Sequence, residues 1–131
     1  MGNDFDVNSY HEFAPTKKLR TLAGFVGMSP ESVALAASIS EERALVIMSP
    51  AQEDATGRLA DKESTLLSAL GVVLRMAGYH SERMDSLWSR EPTGPGKAPW
   101  EKLGMSIGEY IVRNGADGAA EVNSYMRGTT E

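Results

Sequence analysis

Cysteine is absent from all 131 residues, which removes disulfides, thiolate nucleophiles and thiolate metal sites together. Histidine is nearly absent too. His11 and His80 stand far apart, and neither has a carboxylate at metal-ligand spacing. No apolar run approaches the roughly 20 residues of a membrane span, and the polar, acidic N-terminus lacks the basic-then-apolar order of a signal peptide. The expectation is a soluble, cytoplasmic chain. Positive charge is also short: 13 Lys and Arg against 18 Asp and Glu give a net charge of −5. That balance disfavours a nonspecific polyanion binder, whose affinity comes from cations neutralising phosphates, but it leaves room for a local basic face.

Catalytic patterns are poor. Gly94-Pro95-Gly96-Lys97 has no strand before it and no Ser or Thr after its lysine, as a phosphate loop would require. The adjacent acids Glu41 with Glu42, and Glu53 with Asp54, read as solvated surface. We therefore expect a protein that is not an enzyme and carries no cofactor or metal. A small carrier with a pocket lined by Met84, Trp88 and Trp100 would be the exception.

What the chain does contain is helical punctuation. The stretch Leu87–Leu103 reads as the end of one helix, a loop stiffened by Pro92, Gly94, Pro95 and Gly96, and a new helix starting on Pro99. Trp88 and Trp100 bracket it, each able to bury a large ring with a polar N–H. Met1–Thr16 shows no helical period and reads as a flexible arm that a partner could order through Phe5, Tyr10 and Phe13. From Lys17, Leu19, Leu22, Ala23 and Val26 follow the helical period, and Gly27 marks a stop. Ser29-Pro30-Glu31 is a helix start, and Ser40 begins another helix carrying Leu45, Val46 and Met48. Ser49-Pro50-Ala51-Gln52 looks like a further start, followed by a polar joint at Gln52–Gly57.

The strongest pattern spans Asp61–Ala77, where Leu66, Leu67, Leu70, Val73, Leu74 and Ala77 form one broad stripe. A short helix at Ser81–Trp88 follows. Ser106 with Glu109 starts another, and Asp117 can cap a last helix bearing Val122, Tyr125 and Met126, with Gly128 ending it. Strand alternation and repeats are missing, so the fold class is all-α. The division expected is an arm at 1–16, a helical bundle at 17–57 and a second helical unit at 58–131.

Ala23, Gly27 and Val33 fit a helix-turn-helix: a small residue on the first helix, a glycine in the turn and an apolar anchor on the second. Two registers are open, with Ser29 at the exposed start of the recognition helix in one, and Ser40 and Arg43 in the other. Neither is rich in the Arg, Lys, Asn and Gln that read bases. A regulator binding its own promoter is the alternative function on this reading.

The pieces together resemble the Xre/MbcA/ParS family of bacterial antitoxins, which join an Xre-like helical region to a C-terminal toxin-binding domain. The resemblance starts near Lys17. Gly57-Arg-Leu-Ala-Asp-Lys-Glu-Ser-Thr-Leu-Leu67 is similar to the family's lead into its long helix, and Trp88, Pro92, Gly96, Pro99 and Leu103 fit its tryptophan–proline–glycine–proline–leucine series. Gly118, Val122 and Arg127-Gly128 look like its closing helix and terminal turn. Trp100 stands where the family usually has an aliphatic residue, and Met105–Asn114 is additional helical material.

The resemblance implies an all-helical antitoxin of a type II toxin-antitoxin system. It would be dimeric, with a Xre-like bundle at 17–57 and a toxin-binding domain at 58–131. The implied partner is a RES-domain toxin that attacks NAD, its active site covered by the antitoxin's C-terminal region. The residues expected at that interface are Tyr125, Met126 and Arg127, supported by Trp88 and Trp100. An arginine suits a site built for phosphates or carboxylates, because its planar fork donates two hydrogen bonds at once.

Overall fold

The computed structural model describes residues 7–49, 57–92 and 96–130. Phe5, the helix start expected at Pro50, the acids Glu53 and Asp54, and the loop tip at Gly94 and Pro95 lie outside the described residues. Among the described residues there are nine helices and no strand: α1 (Val7–Glu12), α2 (Pro15–Phe25), α3 (Pro30–Ala37), α4 (Glu41–Met48), α5 (Asp61–Met76), α6 (Ser81–Ser89), α7 (Pro99–Lys102), α8 (Ile107–Asn114) and α9 (Ala116–Thr130). The protein is all-α.

Most helices begin where local chemistry supplies an acceptor for their orphan amides. Ser29, Ser40 and Ser106 each accept from the backbone N–H three residues on, and so start α3, α4 and α8. Proline opens α2, α3 and α7, where its missing N–H costs nothing. α5 starts differently. Its first-turn Glu63 folds back to accept from the Ala60 N–H at 2.9 Å.

Glu63 is also 1% exposed, and its charge is met by Arg43 of α4. Nε and Nη2 of Arg43 donate to the two carboxylate oxygens at 2.9 and 3.0 Å, and Nη2 also donates to the Arg58 carbonyl at 3.0 Å. One carboxylate thus fixes the start of α5 and holds α4 against it.

α5 is the hub of the packing, touching α2, α3, α6 and α9. Its buried set therefore widens beyond the single stripe that the sequence suggests: Leu66, Ala69, Leu70, Val72, Val73 and Leu74 are all buried, and Leu67 is only partly so. α8 joins α3, α6 and α9 on the far side. The core is one continuous cluster, running from Leu19 and Leu22 of α2 through Leu70 to Ile111 and Val122. Packing crosses position 57 freely, through the α2–α5, α3–α8 and α3–α9 contacts.

Four local expectations change. Residues 7–16, read as a flexible arm, contain α1 and the first turn of α2. They are pinned by the Lys17 ammonium 4.1 Å from the Phe13 ring centre and by the partly buried Tyr10, whose hydroxyl pKa burial pushes up to about 12. α4 buries Ala44 and Ile47 while Leu45 is 54% exposed. Gly128 does not end the last helix, which continues to Thr130, and Asp117 lies in its first turn and not at its cap.

The start of α9 is capped from far away in the chain. Gly115, at φ 70°, precedes the helix and has no side chain to offer. Ser38, itself at φ 54° just past α3, brings its Oγ to accept from the Ala116 N–H at 3.0 Å. A Cβ at position 115 would meet that same oxygen at van der Waals-forbidden distance.

Candidate partner-binding site

Trp88 lies in the last turn of α6 with its indole laid on the backbone of α8 at Gly108, where an added Cβ would stand 2.8 Å from the ring carbon Cε2. Glycine is required there by close approach. Trp100, on α7, meets Tyr125 of α9 edge-on, with ring centres 5.3 Å apart at 81°, and lies 6.3 Å from the ring of Tyr110 of α8. The Tyr110 hydroxyl donates to Glu121 Oε2 at 2.6 Å, and that bond, with burial, raises the Tyr110 pKa. The three aromatics and Glu121 therefore bind α7, α8 and α9 into one unit.

The five residues expected at a partner interface separate on this geometry. Trp88 and Trp100 are 6% and 7% exposed and Met126 is 5% exposed, all three in the core cluster. Tyr125 is half-buried at the edge of the aromatic group, and Arg127 is exposed. The Arg127 Nε donates to Asn123 Oδ1 one turn back at 3.0 Å. Trp100 and Met126 thus set the pose of α9, Trp88 packs on α8, and Arg127 is the member that reaches outward.

Arg127 lines a depression of about 310 Å³ with Val72, Arg75 and Met76 of α5. Met76, 46% exposed, also lines a neighbouring depression of about 250 Å³, completed by Ala77 and by Arg83, Ser86, Leu87 and Arg90 of the α6 region. The side chains of Arg75, Arg83 and Arg90 make no hydrogen bond or ion pair among the described residues. Four of the chain's 13 cations line these two depressions, beside the apolar Met76 and Leu87. Sequence reasoning passed over Arg75, Met76, Arg83 and Arg90. The available signal was the i, i+4, i+7 alignment of Arg83, Leu87 and Arg90, which puts them on one helical face.

The candidate base-reading residues are occupied by the fold. Ser29 and Ser40 cap α3 and α4, and Arg43 is clamped between Glu63 and the Arg58 carbonyl. Around them the surface is acidic and apolar, with a depression of about 200 Å³ lined by Ser29, Pro30, Glu31, Glu41 and Leu45. Trp100 touches a depression of about 160 Å³, Trp88 adjoins a shallow one of about 290 Å³, and Met84 is fully buried. Neither of these depressions is lined by all three.

No cluster of three His, Asp or Glu that could hold a metal occurs among the described residues, and no helix among them is long and apolar enough to cross a membrane. No family model matches this chain, and no curated protein or solved structure matches it at a significant level.

Proposed function

We propose that this protein is an antitoxin of the Xre/MbcA/ParS kind, cytoplasmic and dimeric, which neutralises a cognate RES-domain, NAD-attacking toxin by direct contact. The observation carrying the reading is the exposed Arg127 at the end of α9, held in place by the buried Trp100–Tyr125 edge contact and set beside an arginine-lined groove. A protein that covers another's active site performs no chemistry itself. It needs a rigid element, a few well-placed anchors and complementary charge. The aromatic cluster supplies rigidity, and Arg127 supplies a bidentate donor suited to a pocket made for phosphates.

Promoter binding through the helix-turn-helix face receives less support, since Glu31, Glu41 and Glu42 are its exposed charges and would repel the DNA backbone. Co-expression with the neighbouring reading frame tests the antitoxin reading. Growth should be rescued from that neighbour's toxicity, and the two proteins should co-elute on size exclusion. Absence of both rescue and complex would remove it.

A further inference from the structure

The groove running past Met76 has a chemistry that specifies its occupant. The exposed Met76 and the half-buried Leu87 lay an apolar strip along its floor, over the buried Ala77 and between polar walls. Arg83 and Arg90 stand seven residues apart along the α6 region, about 10 Å on a helical rise, with Leu87 between them. Arg75 joins from the last turn of α5. Among the described residues none of these three guanidinium groups has an ion-pair or hydrogen-bond partner, in a protein whose net charge is −5. Leaving three cations unpaired around an apolar strip is the complement of a segment that carries acids at the strip's two ends and leucine-like side chains between them.

We infer that this groove docks an acidic amphipathic helix of a partner protein, with carboxylates at i and i+7 set against Arg83 and Arg90 and apolar residues at i+3 and i+4 seated on Met76 and Leu87. The apolar floor favours such a segment over nucleic acid, which would present phosphates to the arginines and nothing to Met76. The inference rests on the antitoxin reading only for the identity of the partner, since the groove's own chemistry sets the class of segment it accepts.

The test uses the full chain and a labelled helix-forming peptide of about 16 residues, bearing Glu at i and i+7 and Leu at i+3 and i+4. A control peptide carries Lys in place of Glu, and a short DNA duplex is a second control. Fluorescence anisotropy should show the acidic peptide binding at least about tenfold more tightly than the lysine peptide. The double variant Arg83→Glu/Arg90→Glu should weaken it by about tenfold or more, while circular dichroism stays unchanged because both side chains are exposed. Met76→Asp should weaken it at constant arginine charge. Raising salt should reduce the arginine-dependent part.

Four outcomes overturn the inference: no binding of the acidic peptide up to about 1 mM, equal binding of the lysine peptide, tighter binding of the duplex, or indifference to the variants. A fifth is self-association lost in the double variant, which would give the groove to a second copy, whose α4 presents Glu41, Glu42 and Leu45. Failure of the antitoxin reading is separately visible. If the native chain fails to rescue growth but binds the acidic peptide, the groove stands without the toxin; if the double variant rescues growth as well as the native chain, the toxin stands without the groove.

Discussion

Individual side chains carry more of this fold than their types suggest. Glu63 is buried, accepts from the Ala60 amide and binds Arg43 through both oxygens. Glu63→Ala removes these three bonds at once and takes the carboxylate away from the Arg43 guanidinium, which keeps the Arg58 carbonyl. Because the Arg43 side chain keeps 28% of its exposure, water recovers part of the loss, and a destabilisation of about 2 kcal/mol is expected in urea unfolding. Tyrosine ionisation offers a second measurement at this scale. Burial holds the Tyr10 pKa near 12, above its ordinary value of 10.0, and the Glu121 bond raises that of Tyr110. Both groups keep their protons in the folded chain at pH values where the unfolded chain loses them. Their contribution is complete below pH 10 and falls as pH rises from there toward 12, so unfolding by urea should become easier across that window. Tyr10→Phe should flatten the slope, and an unchanged slope would exclude Tyr10 as its source.

Helices are where sequence and structure agree most closely, and the exceptions share a physical cause. Ser29, Ser40 and Ser106 could be read as caps because donor and acceptor lie three residues apart. Ser38 could not, because its partner is 78 residues away. Asp117 was the local candidate for that duty, and Gly115 ahead of the helix gave no hint that the oxygen would come from α3. Ser38→Ala should cost about 1 kcal/mol, the usual worth of a cap, with amide exchange rising first at the start of α9. Gly128 misled for a related reason. Glycine lowers helix propensity by about 1 kcal/mol, and tertiary packing of Val122 and Met126 outweighs a deficit of that size near the end. Gly108→Ala is the opposite case. The helix would gain propensity, but the new methyl meets the Trp88 ring, so a net loss of about 1–3 kcal/mol is expected, together with a shift in tryptophan emission as the indole moves.

At the scale of the molecule, the all-α class was legible from periodicity and caps, whereas the site was only partly so. Sequence singled out Trp88, Trp100, Tyr125, Met126 and Arg127 as a group, whereas the structure buries three of the five, packs Tyr125 edge-on against Trp100 and leaves Arg127 exposed beside α5. Aromatic residues serve cores and interfaces alike, so type alone could not divide them. The arginine groove was illegible for another reason: Arg75, Arg83 and Arg90 sit on different turns of two helical segments, and only the α5–α6 packing brings them to two neighbouring depressions that share Met76. Overall charge hid it further, because a net value of −5 says nothing about where 13 cations lie. On the antitoxin proposal, Arg127→Glu should reduce complex formation with the neighbouring reading frame's product by about tenfold or more on titration, with thermal unfolding unchanged since the side chain is exposed.

The serine that closes α9 from the end of α3 also decides whether this chain can be taken apart. A fragment beginning at Arg58 would inherit the aromatic cluster and the groove, but its last helix would start with an unsatisfied amide and its α8 and α9 would lose the wall that α3 provides. Such a fragment should show weak, noncooperative melting alone and regain a cooperative transition when residues 1–57 are added as a separate polypeptide. A graft of the C-terminal half onto another helical bundle would then have to carry α3 along, making the pair of halves, and not either half, the unit that folds.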